Sequence, residues 1–224
     1  MPQIMKKELP TPFEILCQET RQEQQQLFSI PVIQQAMQGH IKLDTYVAFL
    51  TQAYHHVKHT VPLLMLTGSK ISHQDEWLRT AMAEYIEEEI GHEKWILNDI
   101  QACGGHADQV SQSEPAFATE MMVSYAYDSI NRISPLTFLG MVQVLEGTSV
   151  ALATQAANTI KQSLDLPNKA FSYLFSHGDL DQDHQKFFED LINKLDELQL
   201  AVVIRSCKRF YHLYGEIFRS LPKS

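Results

Sequence analysis

Apolar positions recur at helical spacing along nearly the whole chain, and polar or Pro/Gly interruptions mark where helices begin and end. Thr11-Pro12-Phe13-Glu14 has the form of a capping box with Pro at the first helical position, opening a helix to about Phe28. Ser29 and Pro31 start a short helix that ends near Gly39. Asp44 can cap the next, through Tyr54 and His59, with Pro62 disturbing its end. His73 to Ala102 reads as one long helix closed by Gly104-Gly105. Pro115 opens a helix to about Ile130, and Ser134-Pro135 opens a very apolar one to about Ser163. Pro167 starts a short helix, Asp179 to Lys194 forms another, and Asp196 to Arg219 the last. There is no strand-like alternation of useful length and no internal repeat. The pattern predicts an all-α bundle of seven to nine helices in a single domain over residues 1–224.

Composition narrows the classes. A hydrophobic content of 44% over 224 residues suffices for a full core. A net charge of −9, with no long Lys/Arg run, argues against nucleic acid as a partner. The N-terminus lacks an apolar signal core, and the greasiest window, Leu136 to Ala157, is interrupted by Gln143 and Glu146. The expectation is a soluble cytoplasmic protein with no membrane partner. Cys17, Cys103 and Cys207 are odd in number, far apart and form no CxxC, which fits reduced thiols and no thiolate metal site.

Polar residues on apolar faces carry the chemistry. Glu146 is the only charged residue from Ile133 to Ile160, and helical geometry surrounds it with Leu139, Val142, Val150 and Ala153. A lone carboxylate there is costly unless paired, protonated or metal-bound. In EYIEEEIGHEKWILNDI, Glu84, Glu87, Lys94 and Asn98 form the wet side. Glu89 instead falls among Ile86, Ile90, Ile96 and Leu97, with His92 three residues on, the i, i+3 spacing by which one helix offers a carboxylate and an imidazole to one ion. Glu93 is a rival ligand and Glu88 a less well placed one. In SHGDLDQDH, the residues His177, Asp181 and His184 lie within about 60° of one another at helical pitch. Phe188 and Leu191 continue their stripe, while Asp179, Asp183 and Asp190 lie opposite. Three carboxylates and three imidazoles without sulfur suit non-haem iron or manganese, and their number suits two ions.

Other polar residues have plainer readings. His55 and His59 sit at i, i+4 with no acid nearby, and pocket lining or core packing is preferred to ligation. Tyr85 lies one turn before Glu89, where core packing is preferred to cofactor contact. There is no GxGxxG, P-loop, GxSxG or HExxH motif.

EEEIGHEKW, the LEG at Leu145 to Gly147 and H-x3-D-x2-H, set in an all-helical frame, resemble the heme-oxygenase-like superfamily. More narrowly, they resemble its TenA/PqqC-related branch of iron-containing redox enzymes, the heme-oxygenase-like diiron oxidases, over about Phe13 to Phe218. The resemblance implies a heme-oxygenase-like bundle in which Glu89, His92, Glu146, His177, Asp181 and His184 are both the metal ligands and the catalytic set. They would bind two non-haem Fe(II), with Mn able to replace one, and O₂ as co-substrate. Some members separate the first Glu and His by six residues, which lands here on Tyr85; Glu89 fits the members with the short spacing.

The implied activity is O₂-activating oxidation of a small organic acid, amino acid or fatty-acid-like substrate, with an electron donor as a further partner. A homodimer is the expected assembly. The alternative is a metal-independent TenA/PqqC-like enzyme or a binding protein for a heterocyclic or amine compound. TenA-type thiaminases place a cysteine on the helix that here carries Glu146, and none is present. PqqC-type pockets are basic, whereas arginines are few here, and the first helix has no His to serve as a haem's proximal ligand.

Overall fold

The computed structural model describes residues 9–179 and 181–223, apart from the side chains of 177–184. Twelve α-helices and two short 3-10 turns follow one another in that span, and no strand occurs among the described residues. They are α1 (Pro12–Phe28), α2 (Pro31–Met37), α3 (Leu43–Val57), α4 (Thr60–Lys70), α5 (Glu76–Glu89) and α6 (His92–Ala102). Then come α7 (Ala107–Gln112), α8 (Phe117–Arg132), α9 (Thr137–Leu164), α10 (Ser172–Asp179), α11 (Asp181–Ile192) and α12 (Glu197–Ser220).

The all-α expectation holds, and the helix count exceeds seven to nine because the helix expected from His73 to Ala102 is divided and α4 and α7 were not expected. Thr11 and Glu14 cap α1 reciprocally, and Asp196 with Gln199 does the same for α12. The helix expected to run to His59 ends at Val57, and Pro62 sits in the first turn of α4, where a missing N–H costs nothing. Lys42, rather than Asp44, occupies the N-cap of α3. The long helix expected from His73 to Ala102 breaks at Ile90-Gly91, with Gly91 at φ +94°, a backbone conformation that strongly favours glycine. Nearer the C-terminus, His177 falls in α10 while Asp181 and His184 fall in α11, on two helices rather than one.

The helix α9 is the organising element. It is long and apolar enough to cross a membrane by length and composition, but 56% of that window is buried inside the molecule, as in the core helix of a bundle. Its first half, with Leu139, Met141 and Val144, joins a core shared with α1, α4, α5, α8 and α12. Its second half, with Ala153, Ala157 and Ile160, joins a second core shared with α3, α6 and α10. At Gly140 the backbones of α9 and α12 come so close that an added Cβ would lie 2.5 Å from the Cys207 nitrogen. The Ser206 hydroxyl donates to the Thr137 carbonyl at 2.6 Å beside that crossing. Glu146 lies between the two halves of α9.

Candidate functional site

A cavity with about 580 Å³ of empty space, its mouth included, opens where the two cores meet. Val57 and Tyr173 reach it from one core, Tyr85, Phe138 and Val142 from the other, and Glu89, Glu146 and His56 are its strongly polar walls. Two carboxylates from different helices thus face one largely apolar space. The break at Gly91 positions the first of them. Glu89 closes α5, His92 opens α6, and the imidazole folds back so that its Nδ1 lies 3.1 Å from Glu89 Oε2. Both side chains are nearly buried, at 12% and 4% exposure. The His92 ring also stacks on Trp95 at 4.0 Å between centroids. When Nδ1 donates to a carboxylate, Nε2 carries the lone pair, the tautomer that suits ligation.

Tyr85 sits deep in the same cavity at 2% exposure, and its hydroxyl has no hydrogen-bond partner among the described residues. Burial pushes its ionisation well above the usual tyrosine range, and the charges of Glu146, Glu88 and Glu89 push it further. It is a neutral donor aimed among carboxylates. Tyr85 also packs edge-on against Phe187 of α11, with ring centroids 5.2 Å apart.

The segment carrying His177, Asp181 and His184 is fixed at both ends against these helices. At its start, Asp99 of α6, fully buried, accepts from the backbone N–H groups of Ser172 and Tyr173, each at 2.9 Å. At its far end, Phe187 meets Tyr85 and Phe188 meets Phe13. The side chains of His177, Asp181 and His184 themselves lie outside the described residues. Among the described residues, no three His, Cys, Asp or Glu converge as a metal site.

A family model described as iron-containing redox enzyme matches residues 47–215. The chain belongs to that family. The matched span includes every residue of the proposed ligand set. No match is found among curated proteins. Among solved structures, a domain of unknown function with a heme oxygenase-like fold from Shewanella denitrificans superposes with a TM-score of 0.84 at 20% identity, covering 95% of this chain and 92% of that one. A TenA homolog from Pseudomonas syringae gives 0.79 at 12% identity, covering 98% and 96%. Heme oxygenase from Leptospira interrogans gives 0.72 at 16% identity, covering 95% and 100%. These likenesses establish a heme-oxygenase-like fold and, at such identities, nothing finer.

Of the sequence-derived set, the structure brings Glu89 and Glu146 to one cavity and bonds His92 to Glu89. The neighbourhood expected for Glu89 and Glu146 needs two corrections. Ile90 is 64% exposed because the helix ends beside it, and Val150 is 39% exposed on the outer face of α9. His55 and His59 do not reach the cavity. The first bonds Ser113 at 3.0 Å and Lys58 at 3.2 Å, and the second bonds Tyr127 at 3.1 Å. His56, between them, was not singled out by the sequence and is the one that lines the cavity, at 1% exposure. Its signal was legible: it follows Phe49 by two helical turns on an inward stripe.

Proposed function

We propose that the chain is a non-haem diiron oxidase or oxygenase that uses O₂ on a small organic substrate. The observation that carries this reading is the pair Glu89 and Glu146, delivered by two helices to one cavity, with His92 held on Glu89. Oxygen and nitrogen donors without thiolate fit iron in such a place, and the donor set would be completed by His177, Asp181 and His184. When bound, iron supplies the electron transfer to O₂ that no side chain can provide. The residues of the chain do the rest. Glu89 and Glu146 balance cationic charge in a site that water reaches poorly. Glu89 fixes the tautomer of His92. Tyr85 holds a hydroxyl proton beside the carboxylates, placed to donate to a bound substrate. Phe138, Met141 and Val142 keep the cavity apolar, which restrains side reactions with solvent. A small-molecule substrate and an electron donor are required partners, and a homodimer is the proposed assembly.

The test is iron stoichiometry in Glu146→Ala, Asp181→Ala and His184→Ala after anaerobic Fe(II) loading. Each should lose bound iron while the helical circular dichroism persists. Unchanged stoichiometry in all of them would leave a metal-independent pocket of the TenA/PqqC type as the better account.

A further inference from the structure

The Glu89–His92 pair is nearly closed off from solvent, and so are the aromatic rings that line the cavity beside it. Tyr85, Phe138 and Tyr173 are all buried. A carrier molecule in solution touches none of these groups. Trp95 differs. It follows His92 by three residues, so the first turn of α6 sets the two side chains one above the other. Its indole lies against the imidazole, with centroids 4.0 Å apart and planes 29° from parallel. Yet Trp95 is only half-buried. One ring thus touches His92 and still reaches solvent.

The proposed chemistry needs such a route. Reduction of O₂ to water takes two pairs of electrons. Oxidation of the substrate supplies one pair, and the other has to come from outside through a one-electron carrier. Indole is among the few side chains that can give up one electron and take it back. The chain has two tryptophans. Trp77 is the poorer choice, because the Lys194 ammonium lies over its ring at 5.4 Å and opposes a positive charge there. Glu87 and Glu88 are exposed just before the turn into α6, which favours a carrier with a positive face.

We infer that Trp95 is the electron entry point of the site, passing single electrons from an external one-electron carrier through its contact with His92. The step rests on the diiron reading and deepens it. Trp95 loses one electron to the oxidised site and regains one from the carrier. Over the cycle the carrier is oxidised by one electron and the site reduced by one. No covalent bond forms or breaks, and no net proton moves.

The experiment uses the full chain and two readouts. In Trp77→Phe, where Trp95 is the remaining indole, anaerobic Fe(II) should quench the fluorescence, and His92→Gln should abolish the quench. The loaded protein is then mixed with O₂ without substrate or donor, frozen rapidly and read by electron paramagnetic resonance. A transient organic radical should appear in the parent and in Trp77→Phe, with a line shape that changes when tryptophan is ring-deuterated. Trp95→Phe keeps a ring beside His92 and should retain iron but lose the radical. Trp95→Tyr, whose ring is also oxidisable, should restore one of tyrosyl line shape. Cobalt(II) sepulchrate, a caged cationic one-electron donor that cannot bind iron, should hasten decay of the parent's radical. No indole radical in the parent, or the same radical in Trp95→Phe, overturns the proposal while leaving retained, O₂-reactive iron intact. Failure of the iron reading looks different: the parent retains no iron, and Trp95 fluorescence ignores Fe(II).

Discussion

Removing the Asp99 carboxylate should unfasten α10 and weaken the whole fold. Asp99 is fully buried on α6, and its two oxygens each accept one backbone N–H from the first turn of α10. Burial raises its pKa, and the N–H of Tyr173, the hydroxyl of Ser172 and the N–H of Ser172 pull it back down, with burial the larger effect. The ionised carboxylate is thus a net electrostatic cost that its hydrogen bonds only partly offset. In Asp99→Ala two N–H groups lose their acceptor, at about 1–3 kcal/mol each, while the desolvation cost of the carboxylate is recovered. The expected net destabilisation is about 2–4 kcal/mol. Asp99→Asn keeps one carbonyl acceptor but turns an amide NH₂ toward the other N–H, so it should fall lower, at about 1–3 kcal/mol. Urea unfolding at neutral pH gives both values, provided the m-value is unchanged. Hydrogen exchange should speed up at the amides of Ser172 and Tyr173 before it does elsewhere. A loss below about 0.5 kcal/mol in Asp99→Ala, with those amides still protected, would refute the reasoning.

Gly140→Ala forces a methyl against the Cys207 nitrogen at 2.5 Å and Ser206 Cβ at 2.8 Å, so α9 and α12 must part; thermal unfolding should show a loss of about 2–3 kcal/mol. Tyr85→Phe removes a hydroxyl with no described partner and should leave stability within about 0.5 kcal/mol of the parent or raise it, as read by denaturant midpoint. A larger loss would mean that this hydroxyl is bonded within the fold. His55 has its pKa lowered from 6.5 to about 4, first by burial and next by Lys58. The unfolded chain therefore takes up the proton first, and stability should fall as pH drops from about 6.5 toward 4 and be insensitive to this group above that window. In His55→Gln the melting midpoint should depend less on pH there, and an unchanged pH profile would contradict the assignment.

Much of the helical frame was legible because caps and breakers act locally. The Thr11 box, the Asp196 start and the apolar run after Pro135 each appear where the local pattern put them, within a few residues. The break at Gly91 was not legible in the same way. One glycine in an otherwise helical run costs only about 1 kcal/mol, and the choice to turn there is made by packing that seats His92 on Trp95 and Glu89. The inward placement of Glu89 and Glu146 followed from their apolar neighbours in sequence. Asp99 was not singled out although Ile96, Ile100 and Cys103 surround it at helical spacing, because the partners that would have explained its burial lie more than seventy residues away. His56 was passed over although its register behind Phe49 marked it, because His55 and His59 offered a more familiar spacing; His55 is equally buried, but only His56 of the three lines the cavity.

The central claim is that α5, α6 and α9 and the His177–His184 segment together hold iron that reacts with O₂. Its most direct test is metal content after anaerobic Fe(II) loading and desalting, followed by absorbance on mixing with O₂. The account predicts about two irons per chain, oxidised on mixing. Protein that retains no iron, or iron that O₂ leaves unchanged, would contradict it.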